Sequence, residues 1–143
     1  MNRTFVDTAV FARLLDDERP RARDAAARLL SDPARTLVTS ALVLGQLYSA
    51  LVPRGVGGAR GRRLAAAGRK VVERTRALAS IDVTADHISL ALELVTERQM
   101  QLWDAVNWAS AIAAGCDEYA SFDAPGLPHE IHGVRFVDPF ALN

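Results

Sequence analysis

Thr4-Phe5-Val6-Asp7 is a short apolar run closed by a carboxylate. A strand buried on both faces of a parallel sheet reads as such a continuous apolar run. Open α/β sheets bind their ligands just outside the carboxyl ends of their strands. Asp7 therefore stands where such a fold places its chemistry. Asp104 opens the helical stretch Asp104-Ala105-Val106-Asn107-Trp108-Ala109-Ser110-Ala111, and Asp123 closes the strand-like run Glu118-Tyr119-Ala120-Ser121-Phe122. Three acids at element ends, far apart in sequence, can supply the oxygen ligands that a hard divalent cation needs. Each also has a plainer reading. Asp104 can be a helix cap, Asp123 a turn residue before Ala124-Pro125-Gly126, and Asp7 the cap of the helix that follows. The constellation, not any one acid, points to a metal site.

The pattern around these acids alternates strands and helices. Apolar runs at Thr4–Asp7, Thr36–Thr39, Ser80–Val83, Glu118–Phe122 and Val134–Val137 predict about five strands. A helical region runs from about Val10 to Leu30, broken near Pro20, and exits at Asp32-Pro33. A second, from Ser40 to about Leu51, sets Val43, Leu44, Leu47 and Leu51 on one face. An Arg-rich third spans about Ala59 to Ala79. A fourth, from Thr84 to about Arg98, takes Thr84 as N-cap. The fifth starts at Asp104 and stops at Gly115. Alternating β and α units predict an α/β fold, a mostly parallel central sheet with helices on both faces. Residues 1–143 read as one domain, long enough to bury a core without disulfide or metal staples.

Half of the residues are hydrophobic, which excludes a disordered chain. The formal net charge is +0, so no chain-wide basic field drives nucleic-acid binding, and any such contact must come from local clustering. The one cysteine, Cys116, excludes an intrachain disulfide and suits a reducing compartment. No apolar run approaches the roughly 18 residues that span a bilayer, and Met1-Asn2-Arg3-Thr4 lacks a signal-peptide pattern. The expectation is a soluble, cytoplasmic protein.

Four segments together resemble the PIN-domain ribonucleases, most closely the VapC-type toxins of bacterial toxin–antitoxin pairs. Phe5-Val6-Asp7-Thr8 resembles the family's first strand and first metal acid. Thr39-Ser40-Ala41-Leu42-Val43-Leu44-Gly45-Gln46-Leu47 resembles its second strand and helix, with Gln46 where the family has a glutamate. Leu102-Trp103-Asp104 through Ala111 resembles the segment of the third acid, and Gly115-Cys116-Asp117 through Asp123 the strand that ends in the fourth. The resemblance implies a three-layer PIN-like fold and a metal-dependent endoribonuclease. Asp7 and Asp104 would be inner ligands of Mg²⁺ or Mn²⁺, with Asp123 holding a ligand water or a second ion. The catalytic set would be Asp7, Gln46, Asp104 and Asp123. Products would carry 5′-phosphate and 3′-hydroxyl ends, because water attacks rather than the ribose. Partners would be RNA, a cognate antitoxin and a second copy of the chain.

Gln46 alters the expected electrostatics. Its carbonyl can ligate a cation, but it adds no charge and cannot take a proton from water. Glu73, Glu93, Glu97 and Glu118 are the other glutamates that could replace the missing acid. A second reading follows, a catalytically weak PIN protein that binds RNA or an antitoxin without cleaving. The basic cluster Arg54, Arg60, Arg62, Arg63, Arg69, Lys70, Arg74 and Arg76, holding one acid, Glu73, is the candidate RNA or antitoxin contact. Its plainer reading is a solvated helix face. Ser121 and Thr8 are candidate orienting hydroxyls. His87, His129 and His132 are dispersed and read as surface residues, and Cys116 as a small buried one.

Overall fold

The computed structural model describes residues 1–52, 55–75, 77–122 and 129–142. Its sheet is built from β1 (Asn2–Val6), β2 (Arg35–Ser40), β3 (Leu78–Ile81), β4 (Glu118–Ala120), β5 (Glu130–Ile131) and β6 (Val134–Val137). Around it lie α1 (Thr8–Arg13), α2 (Pro20–Ser31), α3 (Ala41–Leu51), α4 (Gly58–Arg74), α5 (Ala85–Arg98) and α6 (Leu102–Ala113), with a short 3₁₀ turn at Pro139–Ala141. The strand order is β3-β2-β1-β4-β6-β5, and every pairing is parallel except β5 with β6. The α/β expectation of a mostly parallel sheet flanked by helices holds.

The sheet has six strands among the described residues, against about five expected. The extra one, β5, is two residues long and too short to carry a periodic signal. It is joined to β6 through His132 and Gly133, whose φ values of 49° and 82° are the two positive angles of a type I′ hairpin turn. Pro20 does not simply break a helix. It sits at the start of α2, where its fixed φ fits and its missing N–H costs nothing. The helix expected to reach Ala79 ends at Arg74, and β3 starts at Leu78, two residues before the expected strand. Ala77, at φ 56°, makes the break between them. Thr84 caps α5 as expected, and His87 completes the capping box by accepting from the Thr84 N–H at 3.2 Å.

Right-handed crossovers fix the layers. The units β1–β2 and β2–β3 step one way across the sheet, so α1 to α4 lie on one face. The β3–β4 unit steps back past β1, so α5 and α6 lie on the other. Contacts agree: α1 packs on α2, α3 and α4, while α5 packs on α6, and α6 on β2 and β4. α6 is the most enclosed helix, with Ala105 to Ala111 all buried. A helix apolar on nearly every side needs such cover. At its centre the Trp108 ring stacks on Tyr119 at 4.3 Å and 5°, and Tyr119 stacks on Phe5 at 5.4 Å. On the opposite face α4 lies close to α3. A Cβ at Gly68 would come within 2.6 Å of Leu51 Cδ1, so any larger residue there would have to push the Leu51 side chain aside.

This topology leaves a reversal in strand order between β1 and β4. At such a switch point the helices diverge to opposite faces and a crevice opens at the carboxyl ends of the two strands. Asp7 directly follows β1, and Ser121 directly follows β4.

Candidate active site

Asp7 is the N-cap of α1, with its Oδ1 accepting from the Thr8 N–H at 2.7 Å. Its own N–H donates to the Ala120 carbonyl at 3.1 Å, which joins the ends of β1 and β4. Ser121 Oγ donates to Asp7 Oδ2 at 2.8 Å, so a residue that reads more simply as a small strand residue is in contact with the first acid.

α3 brings in the second component. Ser40 caps it, accepting from the Val43 N–H at 3.2 Å, and Thr39 Oγ1 donates to the Val6 carbonyl at 3.1 Å. The helix is thereby fixed to the end of β1. Gln46 then faces the crevice, and its Oε1 accepts two hydrogen bonds, from Thr8 Oγ1 and from Asn107 Nδ2, both at 3.1 Å.

α6 supplies the third component. Asp104 does not cap it, because the helix begins at Leu102 with Gln101 as N-cap. Asp104 instead occupies the first turn, where the helix dipole favours a negative side chain. Asn107 follows one turn later on the same face. Asn107 Nδ2 also lies 3.4 Å from Asp7 Oδ1, so one amide group links Asp7 to Gln46. Its Oδ1 is buried and has no hydrogen-bond partner.

Asp7, Thr8, Gln46, Asp104 and Asn107 line one cleft of about 300 Å³, with Arg13 on its wall. The fold thus brings together three of the four residues expected at the site. The fourth, Asp123, lies outside the described residues. Among the described residues no three acidic, histidine or cysteine side chains cluster as a metal cage. The donors present still fit a hard cation: two carboxylates, with the orphaned amide oxygen of Asn107 beside them. Gln46 fits less directly, since its oxygen already serves two donors.

Three participants escaped the sequence reading. Asn107 was detectable in principle, being three residues after Asp104 on a helix. Tyr119 was not, because strand alternation leaves open which face meets the site. Its phenol is held well above its usual pKa by burial first, then by the nearby carboxylates of Asp7 and Asp104, with Asn107 acting the other way through a hydrogen bond. It stays neutral beneath the acids. Arg13 enters the cleft from the face of α1 that also carries Ala9 and Ala12.

The remaining glutamates do not replace the missing acid. Glu73, Glu93 and Glu97 lie exposed on α4 and α5. Glu118 is buried at the opposite end of the sheet, where it accepts from Asn2 Nδ2, Thr4 Oγ1, Arg35 Nε and Arg135 Nη2 at 2.8–3.1 Å. Burial works to raise its pKa, but the hydrogen bonds from Thr4 and Arg135 and the charge of Arg35 outweigh it and lower it. Arg60, Arg62, Arg63, Arg69, Lys70 and Arg74 are exposed on α4 and do not line the cleft. Arg54 and Arg76 lie outside the described residues. Cys116 is buried, and burial raises its thiol pKa to about 11, which makes it a poor nucleophile. No described helix is long and apolar enough to cross a membrane.

No curated protein sequence matches the chain. Solved structures do. The chain is similar to Mycobacterium tuberculosis VapC20, a toxin that cleaves the sarcin–ricin loop, with 27% identity and a TM-score of 0.65, covering 85% of this chain and 90% of that one. It shares its fold with a chain of the Rickettsia felis VapBC2 complex bound to promoter DNA, at 15% identity and TM-score 0.70, covering 95% and 98%. The same holds for Neisseria gonorrhoeae FitAcB, at 14% identity and TM-score 0.70, covering 97% and 99%. The family model of the PIN domain matches residues 4–124, which takes in the end of β1, all of α6 and the crevice between β1 and β4, and the chain therefore belongs to the PIN-domain family.

Proposed function

We propose that this protein is a metal-dependent endoribonuclease and the toxin of a toxin–antitoxin pair. The observation that carries the reading is the convergence of Asp7 and Asp104, from two faces of the sheet, on one cleft at the switch point. Asp7, Asp104 and Asp123 would hold Mg²⁺ or Mn²⁺. Such a cation, when bound, makes water a stronger nucleophile and offsets charge on the scissile phosphate.

The chain's own residues set the geometry. The Thr8 N–H and the Ser121 hydroxyl fix the two oxygens of the Asp7 carboxylate. Asn107 ties Gln46 to the same carboxylate. Gln46 takes no proton, so no general base stands at this position and water must lose its proton elsewhere. Attack by water on phosphorus, with the P–O3′ bond breaking and the departing 3′-oxygen taking up a proton, leaves 5′-phosphate and 3′-hydroxyl ends. The protein would act in the cytoplasm, as a homodimer held in check by an antitoxin, with the exposed arginines of α4 meeting RNA or that partner. Its likeness to VapC20 supports the toxin assignment.

A second reading rests on the same glutamine. A site short of one carboxylate, with its amide oxygen committed to Thr8 and Asn107, suits a protein that binds RNA or antitoxin without cutting. Incubating a mixed RNA pool with the protein in Mn²⁺, with and without EDTA, separates the two. Cleavage lost in EDTA, with 5′-phosphate ends, supports the nuclease. Intact RNA under both conditions, with binding retained, supports the second reading.

A further inference from the structure

Arg13 is the only cationic side chain, among the described residues, on the wall of the cleft that holds Asp7 and Asp104. It closes α1, its side chain is 25% exposed, and its guanidinium carbon lies 6.0 Å from the centre of the Phe122 ring. Phe122 is itself set by an edge-on contact with Phe140 at 5.1 Å. Arg13 Nη1 stands 3.6 Å from Asp16 Oδ2, beyond hydrogen-bond length, and Arg19 Nη1 shares that oxygen at the same distance. Asp16 thus divides one negative charge between two arginines. A guanidinium is the group best matched to a phosphate, because its planar fork offers parallel N–H donors, and an aromatic neighbour fixes its plane while leaving the edges for such bonds.

The cleft poses a problem that this placement answers. RNA is a polyanion, and a phosphodiester at Asp7 and Asp104 approaches two carboxylates. We infer that Arg13 binds an RNA backbone phosphate next to the scissile one and so sets the strand's path through the cleft. The inference rests on the nuclease reading above. Arg13 lies six residues past Asp7, and α1 rises about 1.5 Å per residue, so its contact falls beside the two carboxylates, not on top of them. It positions substrate and does not take part in bond breaking. Its plainer role, a positive charge at the end of α1 paired to Asp16, calls for no phosphate.

Binding of a fluorescein-labelled mixed-sequence RNA pool in EDTA, across a salt series, tests it with wild type, Arg13→Gln, Arg13→Lys and Asp16→Asn. Arg13→Gln should weaken binding about tenfold and reduce the log–log salt slope by roughly 0.7, the share of one phosphate contact on a single strand. Arg13→Lys should keep the slope and lose part of the affinity. Asp16→Asn should bind as well as wild type or better. In Mn²⁺, Arg13→Gln should raise KM with little change in kcat, the mark of uniform binding. Unchanged affinity and slope in Arg13→Gln, with only a lower Tm, would return the residue to its helix-end role and overturn the inference while leaving the nuclease reading intact. Wild type that neither binds nor cuts RNA would overturn both. Loss of poly-glutamate binding in Arg13→Gln, with RNA binding unaffected, would reassign the contact to an acidic protein and also overturn it.

Discussion

Gln46→Glu is the substitution on which the site's electrostatics can be measured. The surroundings of Gln46 Oε1 already suit an acceptor, since both of its partners, Thr8 Oγ1 and Asn107 Nδ2, are donors. A glutamate in the same rotamer keeps both bonds, and bonds to a charged acceptor are roughly twice as strong as neutral ones. Against this stands Asp7. Asn107 Nδ2 bridges Asp7 Oδ1 at 3.4 Å and Gln46 Oε1 at 3.1 Å, so the two oxygens lie no farther apart than those bonds laid end to end. At about 6.5 Å and an effective dielectric of about 20, two unit charges repel by roughly 2.5 kcal/mol. The stronger hydrogen bonds recover about 1 kcal/mol of that. The metal-free variant should therefore be about 1–2 kcal/mol less stable, a fall in Tm of roughly 3–8 °C for a chain of this size. A bound cation reverses the sign, because it binds only the folded state and meets one more carboxylate. Calorimetric melts in EDTA and in a Mn²⁺ series would measure both parts, beside an RNA cleavage time course. The expected result is a lower Tm in EDTA, a steeper rise with Mn²⁺ and faster cleavage. Equal melting in EDTA and an equal response to Mn²⁺ would show that position 46 does not share the field of Asp7, and the argument from the Asn107 bridge would fail.

Asp104→Asn should abolish Mn²⁺-dependent cleavage while the metal-free Tm holds or rises, since a like charge is removed from beside Asp7 in the cleft; full activity would place Asp104 outside the site. Glu118→Gln should destabilise by about 2 kcal/mol at neutral pH, because it strips the buried charge to which Asn2, Thr4 and the mostly buried Arg35 donate, while the exposed Arg135 contributes little. The folded pKa of Glu118 is lowered, so its contribution is full above the ordinary glutamate range and fades as pH falls through the lowered value. The Tm gap between wild type and this variant should accordingly close in acid, and a gap constant with pH would refute the ion-pair account. Charge reversal of Arg62 with Arg63, both exposed on α4, should leave Tm nearly unchanged and flatten the salt dependence of RNA or antitoxin binding. An unchanged slope for both partners would make them solvated-face residues.

The sheet and its helices were legible because their signals are local. Thr4-Phe5-Val6 reads as a buried strand wherever it occurs, and Thr84 caps a helix through atoms three residues away. Asp7 and Asp104, which line the cleft, were legible as candidates for the same reason, since each stands near an element's end. What pairs with them was not. The Asn107 amide meets Gln46 across 61 residues of sequence, and Ser121 meets Asp7 across 114. Those contacts follow from strand order, and no local window specifies it. Arg13 was hidden by a different cause. It shares a helix face with Thr8, Ala9 and Ala12, but which face of α1 meets the cleft depends on how the helix packs, and no local window gives that.

The two ends of the central strands show how one sheet can hold acids for opposite purposes. Glu118, at the start of β4, is held by two arginines as well as by Asn2 and Thr4. Its negative charge is neutralised within the protein, so it offers little to a cation and serves to clamp β1, β2, β4 and β6. Asp7, at the far end of β1, has donors of another kind: a backbone N–H, a hydroxyl and an amide. These donors fix where its oxygens point. Hydrogen bonds from neutral groups thus hold a carboxylate on the wall of the cleft. Replacing Ser121 or Asn107 by a cation would keep the hydrogen bond and convert Asp7 into a second clamp. By this logic Asn107→Lys, whatever its larger side chain costs in metal-free Tm at a position only 1% exposed, should remove the response to Mn²⁺, whereas Asn107→Ala should lower the metal-free Tm and only weaken that response. A Mn²⁺ response that survived in Asn107→Lys would mean that the charge of Asp7 is not what the cation reads.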